Sequence, residues 1–209
     1  MASRSYGQYC GITTAVELVT ERWALLIIRD LLIGPRRYTD LKQGLPKIPT
    51  NILSTRLKEL QEGGVVRSVP LAHCGLVYEL TEYGRELEPI VLALGRWGFR
   101  SLGEPKDDEV VTAGSLTMAL RTAFRPEFAS VTLDFQIQLG AVESRAQVSD
   151  GELKVVQTAP AAPPVGGSLP SGESELRLAT GPGIRHLIAG TLTLPRPWSK
   201  TWSPSWRAT

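Results

Sequence analysis

The sequence has few of the residues that build disulfide frameworks, metal sites or membrane spans. Among 209 residues there are two cysteines and two histidines, and no CxxC motif occurs. No run of 18 apolar residues is present, and the first eleven residues lack the apolar segment of a secretory signal. We therefore expect a cytoplasmic protein with no disulfide framework, no metal site and no membrane partner.

Catalytic motifs are also missing. The sequence contains no GxSxG, HExxH, P-loop or dinucleotide-binding glycine pattern. Gly181-Pro182-Gly183 is typical of a turn, and the acidic run at residues 107–109 is typical of a solvated linker. These absences predict that the protein is not an enzyme and needs no cofactor.

Positive charge is concentrated in one segment. The formal net charge is +2, but residues 1–103 carry +3 and residues 104–209 carry −1. Residues 34–73 alone hold seven Lys or Arg against three Asp or Glu. Such a patch suits nucleic acid, although a protein-binding helical module with a solvated basic face would explain the charge equally well.

Apolar spacing in the first half predicts short helices. Two are expected with a bend near Thr20, and Gly34-Pro35 ends the second. Thr39 is expected to cap a brief helix, and an amphipathic helix follows over residues 50–62.

A hairpin and a long helix should follow. Residues 65–69 and 76–80 are rich in β-forming side chains, so the hairpin tip is predicted at 70–75. Thr81 is expected to cap one helix that runs through Trp97.

The second half predicts a smaller α/β domain with an antiparallel-rich sheet. A helix is expected over 116–124, with strands at 131–139, 152–158 and 175–180. Residues 159–172 are predicted as a loop and 184–189 as a helix. The fold class is α+β, with domains at 1–103 and 113–195, a linker at 104–112 and an irregular Trp/Pro-rich tail at 196–209.

The order of elements in residues 1–103 is that of a winged helix-turn-helix. Its second helix could enter the major groove of DNA, which is about 12 Å wide and matches a helix of about 10–12 Å in diameter. Polar side chains in the first turn of 50–62 suit base edges, nearby cations suit phosphates, and the hairpin would be the wing. The predicted DNA-binding residues are Arg36, Arg37, Thr50, Asn51, Ser54, Arg56, Lys58, Arg67 and His73, although an exposed loop histidine without a role is the simpler interpretation of His73.

Several separated motifs resemble the HxlR family of bacterial transcriptional regulators, relatives of the MarR group. The resemblance covers about residues 8–102 and is carried by WALLIIRDLL at 23–32, GPRRYTDL at 34–41, LSTRLKEL at 53–60 and YELTEYG at 78–84. It implies a homodimer that binds palindromic double-stranded operator DNA and responds to small molecules or reactive electrophiles. Cys10 lies where many members carry a cysteine. It is therefore a possible redox sensor, although a buried, inert thiol at a dimer contact explains it too.

The second half resembles the sterol-carrier-protein type two fold more weakly, over about residues 112–194. Its alternating strands could line a cavity for an apolar effector or fill an ordinary core. The cavity candidates are Leu133, Phe135, Ile137, Leu153 and Val155. Two functions remain open at this stage: a ligand-responsive DNA-binding regulator, or a lipid- or small-molecule-binding protein that uses the winged helix only to dimerise.

Overall fold

The computed structural model describes residues 5–71, 75–128, 132–159 and 176–180. The first half contains, in chain order, α1 (Gly11–Val19), α2 (Ala24–Ile33), β1 (Arg36–Arg37), α3 (Tyr38–Gly44), α4 (Thr50–Glu62), β2 (Val66–Leu71), β3 (Gly75–Leu80), α5 (Glu82–Arg85) and α6 (Glu88–Phe99). The second half contains α7 (Ala113–Ala123), a 3₁₀ turn (Pro126–Phe128), β4 (Leu133–Leu139), β5 (Val142–Ser149), β6 (Glu152–Ala159) and β7 (Leu176–Thr180).

The core of the first half lies between α2 and α4. Ile27, Ile28 and Leu31 of α2 are fully buried, and the leucines of α4 that repeat at i, i+4 and i+7 pack in the same cluster. Burying each of these side chains stabilises the fold by about 1.5–3 kcal/mol. The amphipathic spacing therefore determines which face of α4 points outward. The order of helices and strands confirms the predicted winged helix-turn-helix and the α+β fold class.

Two helix boundaries differ from the sequence prediction. The short helix α3 begins at Tyr38, where the Asp40 carboxylate accepts a bond from the Arg37 N–H at 3.0 Å, so the Thr39 cap is wrong. Thr81 does cap a helix by accepting from the Gly84 N–H at 3.0 Å. The single long helix is wrong, however, because α5 and α6 are separate. Pro89 lies in the first turn of α6, where its missing N–H is tolerated.

The wing is longer than predicted. Strands β2 and β3 pair from Val66 opposite Leu80 out to Leu71 opposite Gly75, so Pro70 is in the ladder and not in the tip. Proline is tolerated there because β2 is an edge strand in the sheet order β1-β3-β2. The two-residue strand β1, which the sequence did not predict, pairs Arg36 with Tyr78 and Arg37 with Val77.

The described part of the second sheet has the strand order β6-β5-β4-β7. Strands β4, β5 and β6 are antiparallel, and β7 pairs with β4 in parallel. Strand β5 was not predicted from the sequence; its buried positions are valines at the two ends, Val142 and Val148, with the small Ser144 and Ala146 between them. The loop and helix predicted at 159–172 and 184–189 lie outside the described residues, except for Ala159, which ends β6.

Helix α7 packs against both halves of the protein. Met118 belongs to the core of the first half, and the Arg121 guanidinium donates to the Leu32 carbonyl at 3.0 Å. The other side of α7 contributes Ala113 and Leu116 to a cluster with Ile137 of β4. One helix thus joins the winged helix to the second sheet.

A substitution at Gly84 tests how the wing packs against the helices that follow it. A Cβ atom there would overlap the Val65 carbonyl oxygen, which is backbone and cannot swing away. We expect Gly84→Ala to lower the free energy of unfolding by about 1–3 kcal/mol. Gly11→Ala is the control, because its Cβ would meet open space, and its effect should stay within about 0.5 kcal/mol. Urea denaturation followed by circular dichroism measures both, and equal midpoints for the two variants would refute the packing.

Candidate nucleic-acid interface

Helix α4 presents a short polar face to solvent. Thr50, Asn51, Ser54 and Lys58 are exposed, while Leu53, Leu57 and Leu60 on the opposite face are buried. Lys58 makes one long contact with Glu62 at 3.7 Å, and its side chain is 77% exposed. This face therefore carries hydroxyl, amide and ammonium groups that can reach a ligand from outside.

The start of α4 is held by two side chains that the sequence analysis did not single out. The Tyr38 hydroxyl donates to the Thr50 carbonyl at 2.8 Å and lies 3.1 Å from the Ser54 hydroxyl. The Lys42 ammonium donates to the Ile48 carbonyl at 2.7 Å. Both side chains come from α3, so they fix the turn between α3 and α4. A signal for Tyr38 existed in its place within GPRRYTDL, but only the structure identifies its partners.

Arg56 does not belong to the exposed face of α4. Its guanidinium contacts Glu59 and bonds Glu21 at 3.1 Å, and its side chain is only 16% exposed. Glu21 precedes α2, so Arg56 ties α4 to the connection between α1 and α2. The predicted role of Arg56 as a base or phosphate contact disagrees with this inward position.

Arg36 and Arg37 point in opposite directions because they are neighbours on the strand β1. Arg37 is exposed, whereas Arg36 is only 6% exposed. Burial lowers the pKa of Arg36, and the charges of Asp30 and Asp40 oppose that shift. Only Arg37 of this pair is exposed to meet a phosphate, so the predicted phosphate contact by Arg36 disagrees with its buried position.

The wing contributes one exposed cation among its described residues. Arg67 lies opposite Glu79 in the β2–β3 ladder and bonds it at 2.6 Å, with 65% of its side chain exposed. His73 lies outside the described residues. Arg67 thus stands on the wing with part of its charge already met by Glu79.

Cys10 is exposed and precedes the first residue of α1. The nearby backbone N–H groups of Thr13 and Ile12 favour the thiolate and hold the pKa of the Cys10 thiol below its ordinary value. The thiol is not buried within the single chain, so the alternative of a buried thiol requires a partner subunit to cover it. A redox role for Cys10 stays a prediction.

The residues proposed to line an apolar cavity do not share one environment. Ile137 is buried, and Phe135 packs beside it against α7. Leu133, Leu153 and Val155 are partly buried. At Ile137 and Phe135 the described structure is a packed layer between sheet and helix.

No helix among the described residues is both long and apolar enough to cross a membrane.

Comparison with known proteins identifies the first half. The family model described as HxlR-like helix-turn-helix matches residues 18–106. Among solved structures, the reduced form of the transcriptional regulator YodB from Bacillus subtilis aligns at 28% identity with a TM-score of 0.41, covering 47% of this chain and all of that one.

Curated relatives match the same share of the chain. The uncharacterized HTH-type transcriptional regulator YvaP of Bacillus subtilis (strain 168) is 36% identical over 40% of this chain and 79% of its own length. The uncharacterized HTH-type transcriptional regulator sll1512 of Synechocystis sp. is 35% identical over 44% of this chain and 70% of its own length. Because most of each relative's length is matched at this identity, this chain belongs to the HxlR-like helix-turn-helix family.

Proposed function

We propose that this HxlR-type transcriptional regulator binds palindromic double-stranded operator DNA as a homodimer, with α4 in the major groove. The observation that carries the proposal is the division of α4 into a buried leucine face and an exposed polar face. A dimerisation platform alone gives no reason for an exposed Asn51 and Ser54 beside a largely exposed Lys58. The family membership supports the same function.

The proposed DNA contacts fall into two groups: those that position the protein on the duplex and those that read base edges. Arg37 on β1 and Arg67 on the wing flank α4 and would bond phosphates, which fixes the register of the protein on DNA. Thr50, Asn51 and Ser54 in the first turn of α4 would meet base edges, and Lys58 lies one turn further on. Arg36 and Arg56 would act indirectly, by holding β1 and α4 in place.

Helix α6 supports the homodimer. Ile90, Leu94 and Trp97 recur at i, i+4 and i+7, and their exposures of 53%, 45% and 70% form an uncovered apolar stripe. Leu87 and Val91 turn the other way and pack against the core, so they do not belong to this stripe. A two-fold partner is the common way to cover such a stripe, and Ile12 of α1 is another exposed apolar side chain of the first half.

The proposed regulation is by an apolar small molecule, and the packing of α7 on α2, which in turn packs on α4, supports an indirect route to α4. Helix α7 contacts α2 and α6 on one side and the second sheet on the other. A ligand that favours one arrangement of these elements would change operator affinity only through unequal binding to the two arrangements.

Alanine substitutions of Arg37 and Arg36 distinguish a phosphate contact from a structural role. We expect Arg37→Ala to weaken binding to specific and random duplexes alike and to reduce the salt slope of log Kd by about one unit, as for one lost phosphate contact. Lys106→Ala removes a cation outside β1 and α4 and should leave the slope unchanged. Fluorescence anisotropy at several salt concentrations measures this, on duplexes first enriched from a random pool by the purified protein.

Arg36 is tested by urea denaturation rather than by DNA binding. We expect Arg36→Ala to lower the free energy of unfolding by about 1–3 kcal/mol, because it removes a buried cation beside Asp30. An unchanged salt slope for Arg37→Ala, or unaltered stability for Arg36→Ala, would contradict their assigned roles.

Base reading is tested at the first turn of α4. Asn51→Ala should relax discrimination at one base pair by about 1–3 kcal/mol while random DNA is bound almost as before. Ser101→Ala, an exposed hydroxyl outside α4, is the matched control. Equal losses of Asn51→Ala on enriched and random duplexes would refute direct reading by this residue.

The dimer is tested on α6. Trp97→Glu should shift the protein toward monomer at micromolar concentration, because a charge would be buried without a partner. Leu76→Glu changes an apolar side chain of similar exposure on the wing and should remain dimeric. Sedimentation or light scattering measures the mass, and a monomeric unmodified protein would overturn the proposed assembly.

A further inference from the structure

A cavity of about 630 Å³ lies between the helix-turn-helix and α7. Trp23, Leu26 and Arg29 of the α2 region form one wall, and Ser115, Leu116 and Ala119 of α7 form another. The segment 99–112, called the strap below, closes a third side. This volume is within the range of about 300–1,000 Å³ that is usual for small-molecule sites.

The chemistry of the walls is mostly apolar. Trp23, Leu26, Phe99, Leu102, Leu116 and Leu139 face the cavity. Its ionisable residues balance, with three basic and three acidic side chains. Arg29 already bonds Asp30 at 2.8 Å, and Lys47 bonds Asp108 at 2.6 Å. An uncharged molecule therefore fits the site better than an ion.

The fourth wall is the turn of the helix-turn-helix itself. Residues 44–47, which connect α3 to α4, line the cavity directly. The Lys47–Asp108 pair joins this turn to the strap, and both side chains are more than half exposed. Such a pair is weak and can open at little cost.

A buried carboxylate connects the same walls. Asp30 is 4% exposed, and a Cβ on Gly44 would lie 2.7 Å from its Oδ2 atom. A Cβ on Gly114, at the start of α7, would lie 2.6 Å from its Oδ1 atom. The turn before α4 and the start of α7 are therefore packed against one side chain, with no room for independent movement.

We propose that this cavity is the effector site, that it binds an uncharged, predominantly apolar small molecule, and that its occupancy displaces the 44–47 turn and with it α4. The proposal rests on the proposed DNA-binding function for its readout, but binding itself does not. It moves the effector from the sheet residues Leu133, Phe135, Ile137, Leu153 and Val155 to the junction of α2, α7 and the strap.

The binding test uses the full-length protein and N-phenyl-1-naphthylamine, an uncharged apolar dye whose fluorescence rises in apolar surroundings. We expect saturable binding of one dye per chain. The related anilinonaphthalene sulfonate, which adds a negative charge to a similar skeleton, should bind about tenfold more weakly or worse. Absence of saturable binding, or equal affinity for the two dyes, would overturn the proposal.

Two pairs of variants locate the site. Ala119→Phe fills the cavity and should weaken dye binding by about tenfold or more, whereas Ala123→Phe, one turn further along α7 and outside the lining, should not. Leu102→Asp changes an exposed residue of the strap, so folding is preserved, and it should weaken binding similarly. Leu76→Asp is its control on the wing. Equal affinities within either pair would place the dye elsewhere and refute the assignment.

Coupling between the cavity and DNA binding is measured as a change in operator affinity when the dye binds. Saturating dye should change the affinity of the unmodified protein for an enriched, fluorescein-labelled duplex by about fivefold or more, and Ala119→Phe should abolish the response. Dye binding without that change would refute displacement of α4. Failure to bind any enriched duplex would instead refute the proposed function, and the dye titrations would still decide whether the cavity binds.

Discussion

The structure depends on how the buried carboxylate of Asp30 is accommodated. An ionisable group in the core is costly unless neighbours compensate it, and burial is the main cause that raises the pKa of Asp30. The Arg29 guanidinium bonds it at 2.9 Å, and the nearby charge of Arg36 also opposes that shift. Gly44 and Gly114 leave the space that the carboxylate occupies. Residues of α2, β1, α3 and α7 thus share one centre, so α4, which follows α3, is not positioned independently of α7.

The two faces of α4 differ in chemistry and in role. Leucines at positions 53, 57 and 60 anchor the helix in the core, which leaves its polar side chains outward by geometry alone. Tyr38 and Lys42 then set the first turn by bonding backbone carbonyls on either side of Pro49. Side-chain hydrogen bonds therefore hold the first turn of the surface proposed to read DNA, and the turn at 44–47 that precedes it lines the proposed effector cavity.

The sequence predicted those elements whose position depends on the spacing of neighbouring residues. The apolar repeat of α4, the Gly-Pro end of α2 and the Thr81 cap follow from spacing and backbone chemistry. The direction of Arg36 was not predictable, since it follows from the pairing of a two-residue strand with β3. Arg56 turns inward because of Glu21, a partner 35 residues away. Strand β5 was missed because only its end positions Val142 and Val148 are large and apolar, while the small Ser144 and Ala146 occupy the inward positions between them.

In the proposed complex, the outer face of α4 enters the major groove in a two-fold arrangement. An iron chelate tethered at Ser54→Cys, in a protein with Cys10→Ser and Cys74→Ser, would cleave bound DNA next to that helix. We expect two symmetric clusters of cleavage, separated by about one helical turn or 34–36 Å on an enriched duplex. Cleavage from a tether at Glu82→Cys, on α5, with none from Ser54→Cys would contradict it.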